Sequence, residues 1–243
     1  MQAPHPPLPA YYRNGDRSEW LRECFDRSAA DYDRLERILG LGTGSWYRRR
    51  ALRAAGLAPG MSVLDIGTGT GLLASAAAGI VGDAQLVVGV DPSPGMIGHA
   101  RVPAGLRLLS GRAEQIPAAD GSADFLCMGY ALRHVGDLGS AFAEFHRVLR
   151  PGAPLCILEI TLPTGRVPRA LLRTWLHGVM PRIATVLARR RETALLMRYY
   201  WDTIAACVPP HTVLGAIAAA GFTGVTRRVE LGMFSAYCAR RTP

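Results

Sequence analysis

Between residues 60 and 160, short apolar runs alternate with longer stretches of helical periodicity. The apolar runs are bounded by Gly, Pro or Asp and predict five strands: Ser62–Ile66, Leu86–Val90, Leu106–Leu109, Phe125–Met128 and Leu155–Ile160. The stretches between them predict three helices: Leu72–Ile80, Gly95–Arg101 and Leu138–Leu149. Strands that alternate with helices are typical of an α/β domain with a doubly wound parallel sheet.

The pattern changes near the C-terminus. After Pro210, the segment Thr212–Ala220 predicts a helix that ends at Gly221. Two strands, Val225–Glu230 and Met233–Ala239, then follow with a glycine between them, which predicts an antiparallel hairpin. The whole pattern therefore predicts a Rossmann-like sheet of seven strands.

Two segments, 18–55 and 165–205, look helical and do not belong to this alternation; the second reads as two helices interrupted near Pro181. They hold all four tryptophans and both arginine triplets: Trp20, Trp46, Trp175, Trp201, Arg48–Arg50 and Arg189–Arg191. We expect a flexible N-terminus over 1–17, a helical cap over 18–55, and a main domain over 56–243 with a helical lid inserted at 165–205. Aromatic helices over one end of a sheet are natural walls for an apolar pocket, although simple packing explains the tryptophans equally well.

Composition narrows the class of protein. The 243 residues suffice for one large domain, and 49% hydrophobic with 19% charged residues is ordinary for a globular enzyme. Five scattered cysteines without a C-x-x-C pair argue against a zinc site and a disulfide framework. The start of the chain lacks the pattern of a secretory signal, so a cytoplasmic location is expected. The net charge of +9 favours an acidic partner, but every basic residue is Arg, and the codon usage of a GC-rich genome would account for that excess equally well.

The strongest motif is a strand that runs directly into a glycine-rich turn, Val63–Gly71. The dinucleotide fingerprint G-x-G-x-x-G would need glycine at position 72, which is Leu72. Instead Gly67, Gly69 and Gly71 follow Asp65 in the spacing of class I methyltransferases, which bind S-adenosylmethionine. The resemblance implies that this turn wraps the methionine part of that cofactor.

Two further positions suit the rest of the same cofactor. Asp91 ends the second predicted strand, where a carboxylate can accept from both ribose hydroxyls, although NAD enzymes place an acid similarly. Met96 suits an apolar wall for adenine, but Met at such a position is more often core. Arg112 stands where the family usually has Asp or Asn and cannot accept a hydrogen bond, so the Ala113 backbone would have to meet the adenine edge while Arg112 stacks over the ring.

Motifs over roughly residues 22–238 resemble the UbiE and MenG family of quinone C-methyltransferases. They comprise Phe25-Asp26 to Tyr32-Asp33, Tyr130 to Val135, Phe145 to Pro151, Leu158-Glu159, His177 with Met180 to Ile183, and Arg198-Tyr199 with Asp202 to Ile204. The resemblance implies C-methylation of a hydroquinone or phenolic ring. The cofactor is expected to meet Asp65, Gly67, Thr68, Gly69, Gly71, Asp91, Pro92, Met96, Arg112, Ala113 and Tyr130, and the substrate Tyr32, Trp175, His177 and Tyr199.

The predicted catalytic residues are Arg133 and His134. A guanidinium with a pKa above about 12 is a poor base, so Arg133 would stabilise a phenolate. His134 replaces the family's usual Asn and could remove the phenolic proton, or it could simply cap the next helix or pack under the lid.

The expected partners are an apolar aromatic small molecule, an anionic membrane in peripheral contact, and a second copy of the chain as a homodimer. One alternative is an O-, N- or C-methyltransferase of specialised metabolism on the same fold. The other is a nucleic-acid or protein-binding module, which we disfavour because the arginines come as two short triplets beside apolar segments.

Overall fold

The computed structural model describes residues 2–12, 17–39, 42–188 and 191–243. In that part of the chain the strands are β1 (Val63–Ile66), β2 (Val87–Asp91), β3 (Arg107–Ser110), β4 (Phe125–Gly129), β5 (Pro154–Ile160), β6 (Phe222–Glu230) and β7 (Phe234–Arg241). They form one sheet in the order β3-β2-β1-β4-β5-β7-β6. The first five strands are parallel, and β7 is antiparallel to both of its neighbours. The predicted fold class is confirmed.

The helices of the described residues are α1 (Arg17–Leu39), α2 (Gly44–Ala54), α3 (Leu72–Val81), α4 (Pro94–His99), α5 (Leu138–Val148), α6 (Arg166–Arg173), α7 (Met180–Ala188), α8 (Arg191–Ala206) and α9 (Pro210–Ala219). Side chains of α5 and α9 form the core on one face of the sheet. Those of α2 and α3 form the core on the other. A third apolar cluster joins α1, α7 and α8 at the end of the sheet.

Capping residues explain where two of the sheet helices begin. The Ser93 side chain accepts from the Met96 N–H at 3.0 Å, so α4 starts one residue before the predicted Gly95. The Asp137 carboxylate accepts from the Ser140 N–H at 2.9 Å and starts α5 at the predicted residue.

The predicted break near Pro181 is wrong. The helical path runs from α6 through a π-helical turn, Thr174–Val179, into α7, where Pro181 is the second residue. Proline has no N–H and its ring crowds the carbonyl four residues earlier, and a wider π turn immediately before it is the kind of local adjustment that lets a helix continue past such a residue. Of the predicted triplet Arg189–Arg191, the first two residues and the side chain of the third lie outside the described residues.

The C-terminal hairpin is tight, as predicted, and its strands are longer than predicted. Its turn holds Leu231 and Gly232 with φ of 51° and 70°, and positive φ at both central residues matches a type I′ turn. The strand β6 begins at Phe222 because the ladder continues across a register shift between Thr223 and Thr226. Among the described residues, no helix combines the length and apolar character needed to cross a bilayer.

The predicted flexibility of the N-terminal residues 1–17 concerns motion and stays a prediction. In the structure, residues 2–12 contact the first residue of α5 and the loop that follows α8: Leu138 N–H donates to the Gln2 carbonyl at 3.0 Å and Val208 N–H to the Pro4 carbonyl at 2.8 Å. The His5 side chain is buried there, with Nε2 2.8 Å from a guanidinium nitrogen of Arg17.

Candidate active site

A cavity of about 580 Å³ opens at the carboxyl end of the parallel strands, between the sheet and α1. Ten predicted site residues line it: Tyr32, Gly67, Gly69, Asp91, Pro92, Met96, Arg112, Ala113, Tyr130 and His134. Ligands of open α/β sheets bind at this edge. The structure thus brings together residues that are more than 100 positions apart in the chain.

The glycine turn forms the floor of the cavity. Gly67, Gly69 and Gly71 all have positive φ, between 56° and 85°, which L side chains rarely adopt. A Cβ at Gly67 would lie 2.6 Å from the Ala131 Cβ, and one at Gly71 would lie 2.2 Å from the Val102 Cγ1. The turn can therefore keep its shape only without side chains, which leaves backbone open to a ligand at Gly67 and Gly69.

Asp65 and Thr68 hold this turn from below and do not line the cavity. The fully buried Asp65 carboxylate accepts from Thr68 Oγ1 at 2.7 Å and from Cys127 Sγ at 3.6 Å. Burial raises the pKa of Asp65 to about 7, although both hydrogen bonds oppose the shift. The conformation of the turn therefore depends on a carboxyl group without access to solvent.

Asp91 faces the cavity from the end of β2. One carboxylate oxygen accepts from the Gly69 N–H at 2.7 Å and the other from the Ser93 N–H at 2.9 Å. Burial raises its pKa, and the two backbone donors oppose that shift. Each carboxylate oxygen can accept a second bond, so capacity remains for two hydroxyl donors.

Two carboxylates of α1 fasten this helix over the same loops. Asp26 accepts from Ser93 Oγ at 2.5 Å and from the Gly95 N–H at 2.8 Å, and Asp33 accepts from Thr70 Oγ1. The sequence motif had marked both residues only as a family likeness. Their spacing of seven residues puts them on one helix face, a signal that could have placed them at the site.

The loop after β3 contributes three adjacent residues to the cavity wall. Arg112 and Ala113 line it as predicted, and Glu114 lines it as well. The Glu114 carboxylate lies 3.6 Å from Arg112 Nε and also accepts from the Gly136 N–H. Arg112 cannot accept a hydrogen bond from the adenine amino group, but the neighbouring Glu114 carboxylate can. We did not predict Glu114 as a site residue from the sequence.

The chain turns sharply at the end of β4. Tyr130 has φ of 59°, uncommon for a bulky residue, and its N–H donates to the Leu158 carbonyl at 2.7 Å. A 3-10 turn over Leu132–His134 follows and sends Arg133 and His134 in different directions. Backbone strain of this kind is found at functional sites.

Arg133 lies behind the cavity wall and does not line it. Its guanidinium is buried, donates to the Glu159 carboxylate at 2.5 Å and to the Tyr130 carbonyl at 2.8 Å, and sits 4.7 Å above the centre of the Tyr200 ring. Burial alone would lower the pKa of Arg133, but the Glu159 charge outweighs it and the pKa is raised. The cation is therefore permanent and separated from the cavity by Tyr200.

His134 lines the cavity, and both of its ring nitrogens are buried without a hydrogen-bond partner. The ring stacks on Tyr199 at 5.7 Å and meets Phe25 edge-on at 5.3 Å. Burial, followed by the Arg133 charge, lowers the pKa of His134 well below 6.5. The imidazole is neutral at physiological pH.

Of the four predicted substrate-wall residues, only Tyr32 lines the cavity. Tyr32 lines the cavity and accepts a hydrogen bond of 2.9 Å from the hydroxyl of Tyr200, which also lines it. Tyr199 lies behind His134, so the helical phase of α8 turns Tyr200 inward instead. Trp175 packs between two apolar clusters and His177 is exposed; both lie in the π turn and neither lines the cavity.

The family model described as the ubiE/COQ5 methyltransferase family matches residues 13–238. The chain belongs to this family. It is 34% identical over 213 residues to the ubiquinone/menaquinone biosynthesis C-methyltransferase UbiE of Syntrophotalea carbinolica, with 85% of this chain and 87% of the relative covered. It is also 34% identical to the demethylmenaquinone methyltransferase of Chlorobaculum tepidum, with 70% and 71% covered.

Solved structures show the same fold at lower identity. One is a SAM-dependent methyltransferase, a possible histamine N-methyltransferase, from Thermotoga maritima, with a TM-score of 0.61, 20% identity and coverage of 91% of this chain and 100% of that one. Another is phosphoethanolamine N-methyltransferase 2 of Haemonchus contortus in complex with S-adenosylmethionine, with a TM-score of 0.58, 15% identity and coverage of 81% and 52%.

This ubiE/COQ5 family member is a SAM-dependent methyltransferase, and its own residues fit the cofactor. The side-chain-free turn at Gly67 and Gly69 would take the methionine part, Asp91 the ribose hydroxyls, and Met96 with Ala113 the adenine. When bound, the cofactor supplies a methyl group on a sulfonium, which is an electrophile. The remaining cavity, between His134, Tyr32 and Tyr200, would take the methyl acceptor.

Proposed function

We propose that the protein methylates a ring carbon of a hydroquinone or related phenol that carries an apolar tail. The names of the related C-methyltransferases support this class of acceptor. Aromatic and aliphatic side chains line the acceptor end of the cavity, among them Leu21, Phe25, Tyr32, Val135 and Tyr200. A phenolic ring needs such apolar surface and also one group that handles its hydroxyl proton.

His134 carries the proposal. A buried imidazole with neither nitrogen paired lacks hydrogen bonds worth about 1–3 kcal/mol. A turn of the ring toward the cavity would let one nitrogen accept from a substrate hydroxyl and recover that bond. The lowered pKa keeps the ring neutral, so one nitrogen lone pair is available to accept that hydrogen bond. A phenolate oxygen beside the ring would favour the protonated imidazole and so offset the loss of basicity that burial causes.

The tyrosine pair completes the proposed chemistry. The Tyr200 hydroxyl donates a hydrogen bond to the Tyr32 oxygen. The O–H of Tyr32 is therefore available to donate to a substrate oxygen. Loss of the phenolic proton makes the neighbouring ring carbon nucleophilic. Tyr32 would then donate to the phenolate oxygen, and the Arg133 cation behind the Tyr200 ring would favour the negative charge.

The caps of the cavity are part of the proposal. The segment 18–55 contributes α1, which lines the cavity, and the segment 165–205 contributes Tyr200 of α8. We assign these segments as the cap and lid of the methyltransferase domain, which would exclude water during transfer.

Product analysis tests the reaction class. Purified protein would be given S-adenosylmethionine with a labelled methyl group and a demethylmenaquinol of short tail, and the product examined by mass spectrometry and NMR. We expect a new carbon-bound methyl with both ring hydroxyls free. A methoxy or N-methyl product would instead support the specialised-metabolism alternative, and turnover of neither quinols nor phenols would contradict the proposed acceptor.

We also propose that the protein contacts a membrane surface in addition to its small-molecule substrate. The helix α6 exposes Val167 and Leu171, at 70% and 67% of their surface, on the same side because they are four residues apart. Leu231 at the hairpin tip is 83% exposed, and Met233 beside it packs against the cluster that holds Leu172 of α6. Apolar side chains thus project near the same place.

Charge favours an anionic bilayer as the partner of this surface. Arg166, Arg169 and Arg173 are exposed on α6, and the sequence has no acid between Glu159 and Glu192. Arginines beside exposed apolar side chains are typical of helices that lie in a membrane interface.

Vesicle sedimentation tests the contact. Wild-type protein should bind vesicles of phosphatidylglycerol and phosphatidylcholine, and release as salt rises, while Val167→Glu should bind several-fold less. Gln85→Glu changes charge equally at an exposed position near the start of β2 and should bind like the wild type. Equal binding to neutral vesicles would remove the preference for an anionic bilayer, and equal loss in both variants would remove the proposed contact through α6. Neither outcome bears on the assignment as a methyltransferase.

A further inference from the structure

Three cysteines form a row across adjacent strands. Cys127 of β4 is in register with Cys156 of β5, which is in register with Cys238 of β7. All three belong to or pack against the same apolar cluster, so their side chains lie on one face of the sheet. None of them lines the cavity.

The backbone places Cys156 and Cys238 at a site suited to a cross-link. In the antiparallel β5–β7 ladder, Thr161 N–H donates to the Met233 carbonyl and Arg241 N–H to the Ala153 carbonyl, which marks the odd-numbered β5 residues as the hydrogen-bonded pairs. Cys156 therefore opposes Cys238 at a non-hydrogen-bonded pair, where the Cα atoms are about 4.5 Å apart. That separation lies within the range of protein disulfides.

The two thiols already interact and differ in access. Cys156 is fully buried, whereas Cys238 is partly exposed. A hydrogen bond from Cys156 lowers the pKa of Cys238, and that same bond, followed by burial, raises the pKa of Cys156. Cys238 is thus the more reactive member, with a second thiol directly beside it.

We propose that Cys156 and Cys238 form a reversible thiol–disulfide pair, oxidised by a low-molecular-weight disulfide. The Cys238 thiolate attacks one sulfur of the small disulfide and releases one small thiolate. The Cys156 thiol loses its proton and attacks the Cys238 sulfur of the mixed disulfide, which releases the second small thiol. The protein gives up two electrons and two protons, and the small disulfide is reduced to two thiols.

The test is peptide mapping of the whole folded protein after incubation with oxidised glutathione. We expect two of the five thiols to disappear, one cross-linked peptide pair that joins Cys156 to Cys238, and full reversal by dithiothreitol. The melting temperature should rise by roughly 5–15 °C, because the bond closes a long loop in the unfolded chain. The dissociation constant for S-adenosylmethionine should stay unchanged, since neither sulfur lines the cavity.

Single variants identify the pair. Cys156→Ser should stop at one glutathione on Cys238, Cys238→Ser should give no cross-link, and Cys127→Ser should cross-link like the wild type. A bond between Cys127 and Cys156, a cross-link that forms only in denaturant, or five unreacted thiols would each overturn the proposal.

Discussion

The cofactor end and the acceptor end of the cavity are built in different ways. At the cofactor end, the wall is shaped mainly by backbone: three glycines have a left-handed conformation, and the N–H groups of Gly69 and Ser93 hold the Asp91 carboxylate. At the acceptor end, side chains from α1, α8 and the turn that follows β4 form the wall, and neither ring nitrogen of His134 has a hydrogen-bond partner. A wall built from backbone depends little on which side chains surround it, whereas a wall built from side chains can change its ligand by single substitutions.

The largest expected effect tests the cofactor end. Asp91→Ala removes a charged acceptor of two hydrogen bonds worth about 1.5–3 kcal/mol each, so the dissociation constant for S-adenosylmethionine should rise at least about 100-fold. Calorimetry would measure it. Asp83→Ala, which removes a carboxylate that caps a 3-10 turn far from the cavity, should leave the affinity unchanged. Equal affinities would show that the carboxylate is not a ligand.

The next effect concerns the support of the acceptor end. Glu159→Gln leaves the buried Arg133 cation without its counter-charge, and we expect a loss of about 3–5 kcal/mol in the free energy of unfolding. Glu144→Gln breaks the more exposed pair with Arg147 and should cost less than about 1 kcal/mol. Denaturant titration separates the two. Similar losses in both variants would mean that Arg133 is not held mainly by charge.

His134→Asn sharpens the comparison at the acceptor end itself. It restores the residue usual in the family and should lower kcat by about 100-fold while cofactor affinity stays constant, because general-base catalysis contributes at least that factor. His146→Asn is the matched control, since His146 also has a lowered pKa but lies away from the cavity. Full activity with an unchanged pH profile in His134→Asn would show that substrate acidity or water removes the proton.

The smallest expected effect is the pH dependence of stability. The folded-state pKa of His134 lies below its unfolded value near 6.5, so the unfolded chain binds the extra proton first as pH falls. Stability should therefore be constant above pH 6.5 from this group and decline below it, by up to about 1.4 kcal/mol per pH unit. His134→Asn should flatten that decline. His5 and His146 shift in the same direction and will leave some slope.

Local signals explain what the sequence predicted well. The five parallel strands lie within one residue of their predicted bounds, because apolar runs between Gly, Pro and Asp leave few alternatives. The glycine turn and Asp91 follow each other within 25 residues and need no distant partner. His134 could be singled out from the sequence because it stands where the family motif usually has Asn.

Long-range contacts and helical phase explain the errors. The place of Arg133 depends on Glu159, a carboxylate 26 residues away that draws the guanidinium behind the wall. Choosing Tyr200 over Tyr199 would have required the rotation of α8 about its axis, which packing against α1 sets. The π turn before Pro181 shifts Trp175 and His177 away, and periodicity of 3.6 residues does not reveal such a turn.

The contact between α1 and α4 has a consequence for how closely α1 lies over the cavity. A Cβ at Gly95 would lie 2.6 Å from the Asp26 Cα, so these two helices approach closely only because position 95 has no side chain. A single methyl group there would act as a wedge under α1: we expect it to separate Asp26 from Ser93 and to widen the mouth of the cavity. The width of the entrance to the enzyme's interior thus depends on the missing Cβ of Gly95, a residue that does not line the cavity.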